Sequence, residues 1–267
     1  MTTNQHPYAL ITGATSGIGY ELAKLFANDQ YNLVIVARDQ TELDSKAAEL
    51  KQSGIDVLTI AKDLSQRQAP FDVYQEIKAK GISIDVLVND AGQGQYGLFV
   101  DTDINRELDL IQLNVGAYVV LTKLFLQDMV ARNAGKILNV ASIASQLPGP
   151  WQAVYHATKA FVLSFTEAVR SEVSDYNITI TALQPGPTDT DFFRKAQMEN
   201  SKMVQENSLS DPADVAKDGY DALMAGDDKV ISGLKNKLQV AMSNLMPDSL
   251  AAASLKKQQE PVDKTDS

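Results

Sequence analysis

Tyr155-His156-Ala157-Thr158-Lys159 sets a phenol and an ammonium four residues apart at the head of a long apolar stretch, Ala153–Asp175. On a helix that spacing is about one turn, so both side chains share a face. A free tyrosine titrates near pKa ~10, and a neighbouring ammonium favours the phenolate. Lowering that value by roughly two to three units takes about 3–4 kcal/mol of differential interaction. A close, partly desolvated charge can supply this, which would bring the phenol nearer the working range of a general acid or base. Taken alone, the pair is also what a core tyrosine beside a snorkelling lysine looks like. Ser142, thirteen residues before Tyr155, lies just past an apolar strand pattern. A hydroxyl at such a strand end can hydrogen-bond a substrate oxygen and hold it near the phenol. His156 points about 100° away from Tyr155 on the helix and reads as structural.

A second constellation is Thr12-Gly13-Ala14-Thr15-Ser16-Gly17-Ile18-Gly19, between a strand pattern and a helical pattern. Glycine serves where backbone turns with positive φ or approaches a ligand closely. A helix starting here aims free N–H groups at a pyrophosphate. Glycines alone also suit a tight turn without ligand, but the strand-turn-helix context favours dinucleotide binding. The spacing Gly13-x3-Gly17-x-Gly19 differs from the usual G-x-G-x-x-G. The next strand closes on Val36-Ala37-Arg38-Asp39. An acid closing this strand favours NAD(H) by binding the ribose. Here Ala37 stands in that place, and the Arg38 guanidinium suits a 2′-phosphate, which favours NADP(H). A register slip of two would put Asp39 at the ribose and favour NAD(H). Asp63, ending the third strand, fits either an acceptor for the adenine amino group or a helix N-terminal acid. Asn89-Asp90-Ala91-Gly92 closes the fourth strand with small residues, where backbone can approach adenosine.

These groups need elements to position them. Strand patterns cover Tyr8–Thr12, Asn32–Ala37, Asp56–Ala61, Ile84–Asn89, Gly135–Ala141, Ile178–Gln184 and Lys229–Ser232. Several are near-continuous apolar runs, as strands buried on both faces require. Helical patterns fill Gly17–Asp29, Gln40–Gln52, Phe71–Lys80, Arg106–Arg132, Ala153–Asp175 and Ala213–Ala225. The alternation predicts an α/β fold, a doubly wound Rossmann-type parallel sheet of seven strands with helices on both faces, in one domain. Residues 1–232 form the dinucleotide-binding and catalytic unit in this reading, and 233–267 a C-terminal helical extension with a polar tail. Pro185–Ser210 is too long for a plain connection, so about 186–210 is expected to be a substrate lid. Its Phe192, Phe193, Met198 and Met203 suggest an apolar cover, and Leu147, Pro148, Trp151, Gln93 and Tyr96 are further pocket candidates. Leu234, Leu238, Ala241 and Leu245 recur at helical spacing before Pro247, and Lys256–Ser267 reads as a frayed tail.

The absence of cysteine rules out disulfides, thiolate metal sites and a cysteine nucleophile. Two histidines are too few for most zinc or Ser-His-Asp chemistry, so no metal is expected. A net charge of −10 without a basic cluster argues against nucleic acid and anionic membranes. Met1–Pro7 lacks the order of a signal peptide, and no apolar run approaches the ~20 residues of a membrane span. The cytoplasm is the expected location.

The glycine turn, Asn89-x-Ala91-Gly92, Asn114, Ser142, Tyr155-x3-Lys159 and Pro185-Gly186 appear in an order that resembles the short-chain dehydrogenase/reductase family, in its single-domain branch, from residue 8 to about 232. The resemblance implies hydride transfer between nicotinamide and a carbonyl or alcohol carbon, with Tyr155 as general acid in reduction. It implies that Ser142 orients the carbonyl, and that Lys159 lowers the tyrosine pKa and holds the nicotinamide ribose. Asn114 would anchor a water leading protons to Lys159; a kink in the Arg106–Arg132 helix is the competing reading of that asparagine. Pro185, Gly186, Thr188 and Thr190 would flank the nicotinamide. Arg38 matches the NADP-preferring type; Ser16 stands where some members carry a second basic residue, and Asp90 where many have a second asparagine. The resemblance also implies a homodimer or homotetramer; the Phe and Met residues of the expected lid suggest a partly apolar small-molecule substrate. A cofactor-binding sensor or scaffold without turnover, a sugar epimerase or dehydratase, and an interaction role for the C-terminal helix are the alternatives.

Overall fold

The apolar runs become parallel strands because a helix returns the chain to the same sheet edge after each of them. The computed structural model describes residues 6–206, 208–243 and 247–262. Leu245, residues 1–5 of the polar N-terminus and residues 263–267 of the tail lie outside the described residues. The strands are β1 (Tyr8–Thr12), β2 (Asn32–Ala37), β3 (Val57–Ala61), β4 (Val86–Asn89), β5 (Gly135–Val140), β6 (Ile178–Gln184) and β7 (Lys229–Ile231). They form one seven-stranded parallel sheet in the order β3-β2-β1-β4-β5-β6-β7. Strand ends differ from the expected ones by a residue or two.

Helices cover both faces: α1 (Gly17–Asn28), α2 (Gln40–Leu50), α3 (Ala69–Ala79), α4 (Ile104–Ile111), α5 (Ala117–Arg132), α6 (Ala153–Glu172), α7 (Phe192–Ala196), α8 (Lys202–Glu206) and α9 (Pro212–Ala225). Alternate strand residues feed two cores, as a period of two demands. Ile11 and Ile35 pack with Leu22 and Phe26 of α1 and Leu223 of α9. Leu10 and Val34 pack on the other face with Val73 and Ile77 of α3 and Leu121 and Phe125 of α5. Aspartates start several helices: Asp39, Asp103 and Asp211 each accept a backbone N–H at α2, α4 and α9.

The expected Arg106–Arg132 helix runs from Ile104 and is interrupted by a π-helical turn, Gln112–Gly116. By length and composition the 29-residue stretch Ile104–Arg132 is apolar enough to cross a membrane, with mean hydropathy 1.3 over its best window. That corrects the expectation that nothing approaches a span: Gln112, Asn114 and Lys123 break up every continuous run without lowering the average far. Leu113, Ala117, Leu121, Phe125 and Met129 of this stretch are buried in the sheet-facing core.

The C-terminal extension departs most from expectation. It forms α10 (Leu234–Ser243) and a further helix, α11 (Asp248–Gln259). Leu234 and Leu238 face outward, 74% and 58% exposed, while Asn236 and Val240 face the protein. Lys256–Gln259 is helical, not frayed, and Ser201 pairs with Pro261 in an antiparallel bridge. Lys202 N–H donates to the Glu260 carbonyl, and Val262 N–H to that of Asn200. Those bonds tie the tail to the segment after β6, so its polar composition did not signal fraying.

Candidate active site

The sheet order reverses between β1 and β4, and in open α/β sheets ligands bind beyond the carboxyl ends of strands at such a switch point. A cavity of about 690 Å³ lies there, running from the end of β2 to α11. Gly13, Thr15, Ser16, Gly17 and Ile18 line its floor. Gly13 and Gly17 adopt φ of +74° and +58°, the left-handed region that favours glycine. Ser16, the N-cap of α1, makes no side-chain capping bond, and the first turn carries no acid. The helix therefore offers free N–H donors and a partial positive charge to the cavity, a donor set that fits a pyrophosphate. Gly19 does not reach the cavity: a Cβ there would lie 2.5 Å from Asp90 Oδ2 and 2.7 Å from the Gly13 carbonyl. Its N–H instead meets the Asp90 carboxylate.

At the far wall Arg38 is exposed and lines the cavity, with no ion-pair partner among the described residues. Asp39 Oδ1 accepts Glu42 N–H at 2.9 Å and caps α2. Asp63 also lines the cavity, but it is no helix acid: α3 starts at Ala69, and Asp63 Oδ1 holds Ser65 N–H and Oγ at 3.0 and 2.8 Å. Ala91 and Gly92 reach the cavity, whereas Asn89 is fully buried behind it. Asn89 Nδ2 donates to Thr122 Oγ1 and Asn139 Oδ1, and Asn139 donates to Thr166 Oγ1. That chain locks β4, α5, β5 and α6 together, so the Asn89 side chain serves the frame behind the cavity wall.

At the other end α6 delivers Tyr155 and Lys159 to the cavity, and the turn after β5 delivers Ser142. Lys159 is buried, donates to the Val140 carbonyl at 2.8 Å, and sits 6.0 Å from the Tyr155 ring centre and 5.5 Å from that of Tyr118. Ser142 Oγ accepts Ala144 N–H at 3.0 Å and donates to the Pro185 carbonyl over a long 3.3 Å. Burial pushes the Tyr155 phenol up to about 12; its bond to Ser142 pulls down and the Asp90 charge pushes up. Burial thus outweighs the lowering that the lysine was expected to supply. Burial also holds Lys159 below its ordinary value, so its charge is itself weakened, while Asp90 opposes that. Burial raises Asp90 in turn, against the pull of Lys159 and Gly19 N–H.

Asn114 does not line the cavity. It is fully buried in the π-helical turn, donates to the Gln93 carbonyl and Thr158 Oγ1, and accepts Gln93 N–H. A Cβ on Gly92 would lie 3.3 Å from Asn114 Oδ1 and 3.4 Å from Lys159 Nζ, so both side chains flank that glycine. The kink and the polar contact are thus one feature. His156 is buried: Nδ1 lies 2.8 Å from the Leu147 carbonyl and Nε2 3.4 Å from Gln259 Nε2, a bracing arrangement. Burial lowers its pKa.

Pro185, Gly186, Thr188 and Thr190 line the cavity, and Thr190 packs on Gly17. The Phe192 ring covers Tyr155 at 5.0 Å between centres. Phe193, Met203, Leu147 and Gln93 also reach the cavity; Pro148, Trp151 and Tyr96 do not line it, and Met198 packs inside the segment after β6. Gln152 from the α6 N-terminus, Val240 from α10, and Leu255 and Gln259 from α11 complete the wall. In the sequence of α11 only Ala251 and Leu255 repeat at helical spacing on the buried side, a signal too short to place the helix there.

A family model described as short chain dehydrogenase matches residues 7–201. The chain belongs to the short chain dehydrogenase family. A very-long-chain 3-oxoacyl-CoA reductase of Laccaria bicolor is 38% identical over 181 residues, 66% of this chain and 53% of its own length. This chain spans about half to three fifths of the length of the first curated relatives it matches. A short-chain dehydrogenase from Sphingobium yanoikuyae in complex with NADPH superposes with TM-score 0.80 at 30% identity, covering 90% of this chain and 95% of that one. The bulky-bulky ketone specific alcohol dehydrogenase from Comamonas testosteroni gives TM-score 0.76 at 29% identity, covering 91% and 94%. The Sphingobium yanoikuyae protein holds NADPH in this fold.

Proposed function

We propose that this chain is an NADP(H)-dependent oxidoreductase interconverting a carbonyl and a secondary alcohol, with Tyr155 as general acid and base. The observation that carries it is Tyr155 set on the cavity between Ser142 and the covering Phe192, with Lys159 buried beside it. Bound nicotinamide supplies or accepts the hydride. Ser142 exchanges its long bond to Pro185 for one to the substrate oxygen, which places that oxygen at the phenol. In reduction Tyr155, neutral at pH 7, gives its proton to the oxygen as negative charge develops there. Lys159 returns a proton to the phenol and is itself recharged from solvent through a water that Asn114 would anchor. Phe192 and Phe193 exclude water from the reacting end.

Arg38 supports NADP(H) over NAD(H): it is unpaired among the described residues, while Asp39 is occupied in capping α2. An apolar face over α4 and α6, with Phe99, Ile104, Leu108 and Phe161 exposed, supports a homo-oligomer. The buried side of Ile104–Arg132 supports a location in the cytoplasm rather than a span. The test is oxidation of NADPH and NADH across a panel of aldehydes, ketones and 3-oxoacyl esters. Arg38→Ala should raise KM for NADPH roughly 10- to 100-fold, the loss of a charge-assisted pair, and move KM for NADH little. Equal effects on both cofactors would overturn the preference, and NADPH binding with no turnover on the whole panel would mark a sensor.

A further inference from the structure

Burying an amide is costly unless its hydrogen bonds are made, so a buried glutamine with an idle oxygen or nitrogen asks for a partner. Two such residues line the cavity near His156. Gln259 is 1% exposed and Gln152 is 4% exposed. Gln259 Oε1 and Gln152 Nε2 have no hydrogen-bond partner among the described residues, and both residues line the cavity. The two converge on His156: Gln152 starts the turn that ends there, and Gln259 Nε2 lies 3.4 Å from His156 Nε2. Neither is needed for the helix it sits on. Gln152 is the N-cap of α6 yet makes no side-chain capping bond. Gln259 is the third member of the buried stripe Ala251, Leu255, Gln259 on α11, a place where packing alone takes an apolar residue.

We infer that this end of the cavity binds a second, neutral hydrogen-bonding group on the substrate, to which Gln152 Nε2 donates and from which Gln259 Oε1 accepts. The inference rests on the proposed carbonyl chemistry and adds the substrate class. A hydroxyl satisfies both atoms at once, because it accepts and donates. A carboxylate only accepts, and would face Gln259 Oε1 without a proton between them; the nearby Lys195 is already paired with Asp191 at 3.6 Å. Leu147, Val240, Leu255 and Phe192 make the rest of this end apolar. The substrate class is therefore an apolar hydroxyketone, or the matching diol, and not a keto acid.

The test compares medium-chain alkyl ketones that carry a hydroxyl along the chain with the same ketones lacking it or bearing a carboxylate there. Two readouts are taken. One is kcat/KM with NADPH. The other is binding in the presence of NADP+, where no reduction occurs, followed by the fluorescence of Trp151. That residue is the chain's single tryptophan, and it stacks on Tyr96, whose hydroxyl bonds the Gln259 carbonyl. Hydroxyketones should bind and react at least about 10-fold better than both analogues, because sites built for a hydroxyl reject compounds that leave their polar groups unpaired. Gln259→Leu should bring the hydroxyl-to-plain ratio to about one. Gln152→Leu should do the same and carries the test if Gln259→Leu does not fold. Equal treatment of hydroxylated and plain ketones by the wild type, as expected if water serves the two amides, would overturn the inference. A ratio that survives both substitutions would do so too. Binding with the hydroxyl preference but no reduction would retain this subsite and remove the oxidoreductase reading; neither binding nor reduction would remove both.

Discussion

Tyr155 has to be neutral to reduce a ketone and anionic to oxidise an alcohol, and its surroundings favour the first state. Burial lifts the phenol to about 12, and Ser142 recovers only part of that shift. The folded value lies above the ordinary one, so the protonated form is what the fold stabilises; that contribution holds below pH 10 and is lost as pH climbs toward 12. Reduction should therefore be flat from about pH 6 to 9. Oxidation should rise about tenfold per pH unit through the same range, following the phenolate fraction. An oxidation rate that levels off near pH 7 would show that the phenol is not held up. That Tyr155 and Lys159 reach one cavity was legible in the sequence because four residues on a helix fix a shared face. The direction of the pKa shift was not legible, because it depends on burial beside Phe192 and on the Asp90 charge, both from distant parts of the chain.

At the scale of elements, the π-helical turn between α4 and α5 does what an unbroken helix would not. It turns Asn114 inward to hold both backbone groups of Gln93, and so fixes the loop after β4 beside Lys159. Asn114→Ala leaves those groups without partners and should cost about 2 kcal/mol. For a domain of this size that is a fall in Tm of roughly 4–8 °C, read by calorimetry. An unchanged Tm would mean that the loop is held by something else. The sequence showed an asparagine in a helical pattern but not the extra residue in the turn, since a π-turn leaves the apolar spacing nearly intact. The same limit applies to α11. Its buried stripe ends in Gln259, and a reading that equates polar with exposed places that glutamine in solvent.

For the whole molecule, the alternation of apolar runs and helical patterns was enough for the sheet, because strands buried on both faces have few other compositions. Boundaries, the helices after β6 and the closing of the cavity by the tail depend on contacts between distant segments. One surface still asks for cover: Phe99 is 62% exposed, Ile104 61% and Phe161 42%, with α6 beneath them. Phe161→Glu puts a charge in that face. Light scattering should then read close to the 29.0 kDa of one chain, while the wild type reads a multiple of it. A wild type that is already monomeric would remove the interface.

The most direct test of the central claim is Tyr155→Phe, which removes one hydroxyl and keeps the ring against Phe192. On any ketone that the wild type reduces, the account predicts a fall in kcat of about 10²–10⁴-fold, the size of a lost general acid. NADPH affinity, measured separately by titration, should stay close to that of the wild type. A variant that retains full turnover would contradict Tyr155 as the proton donor.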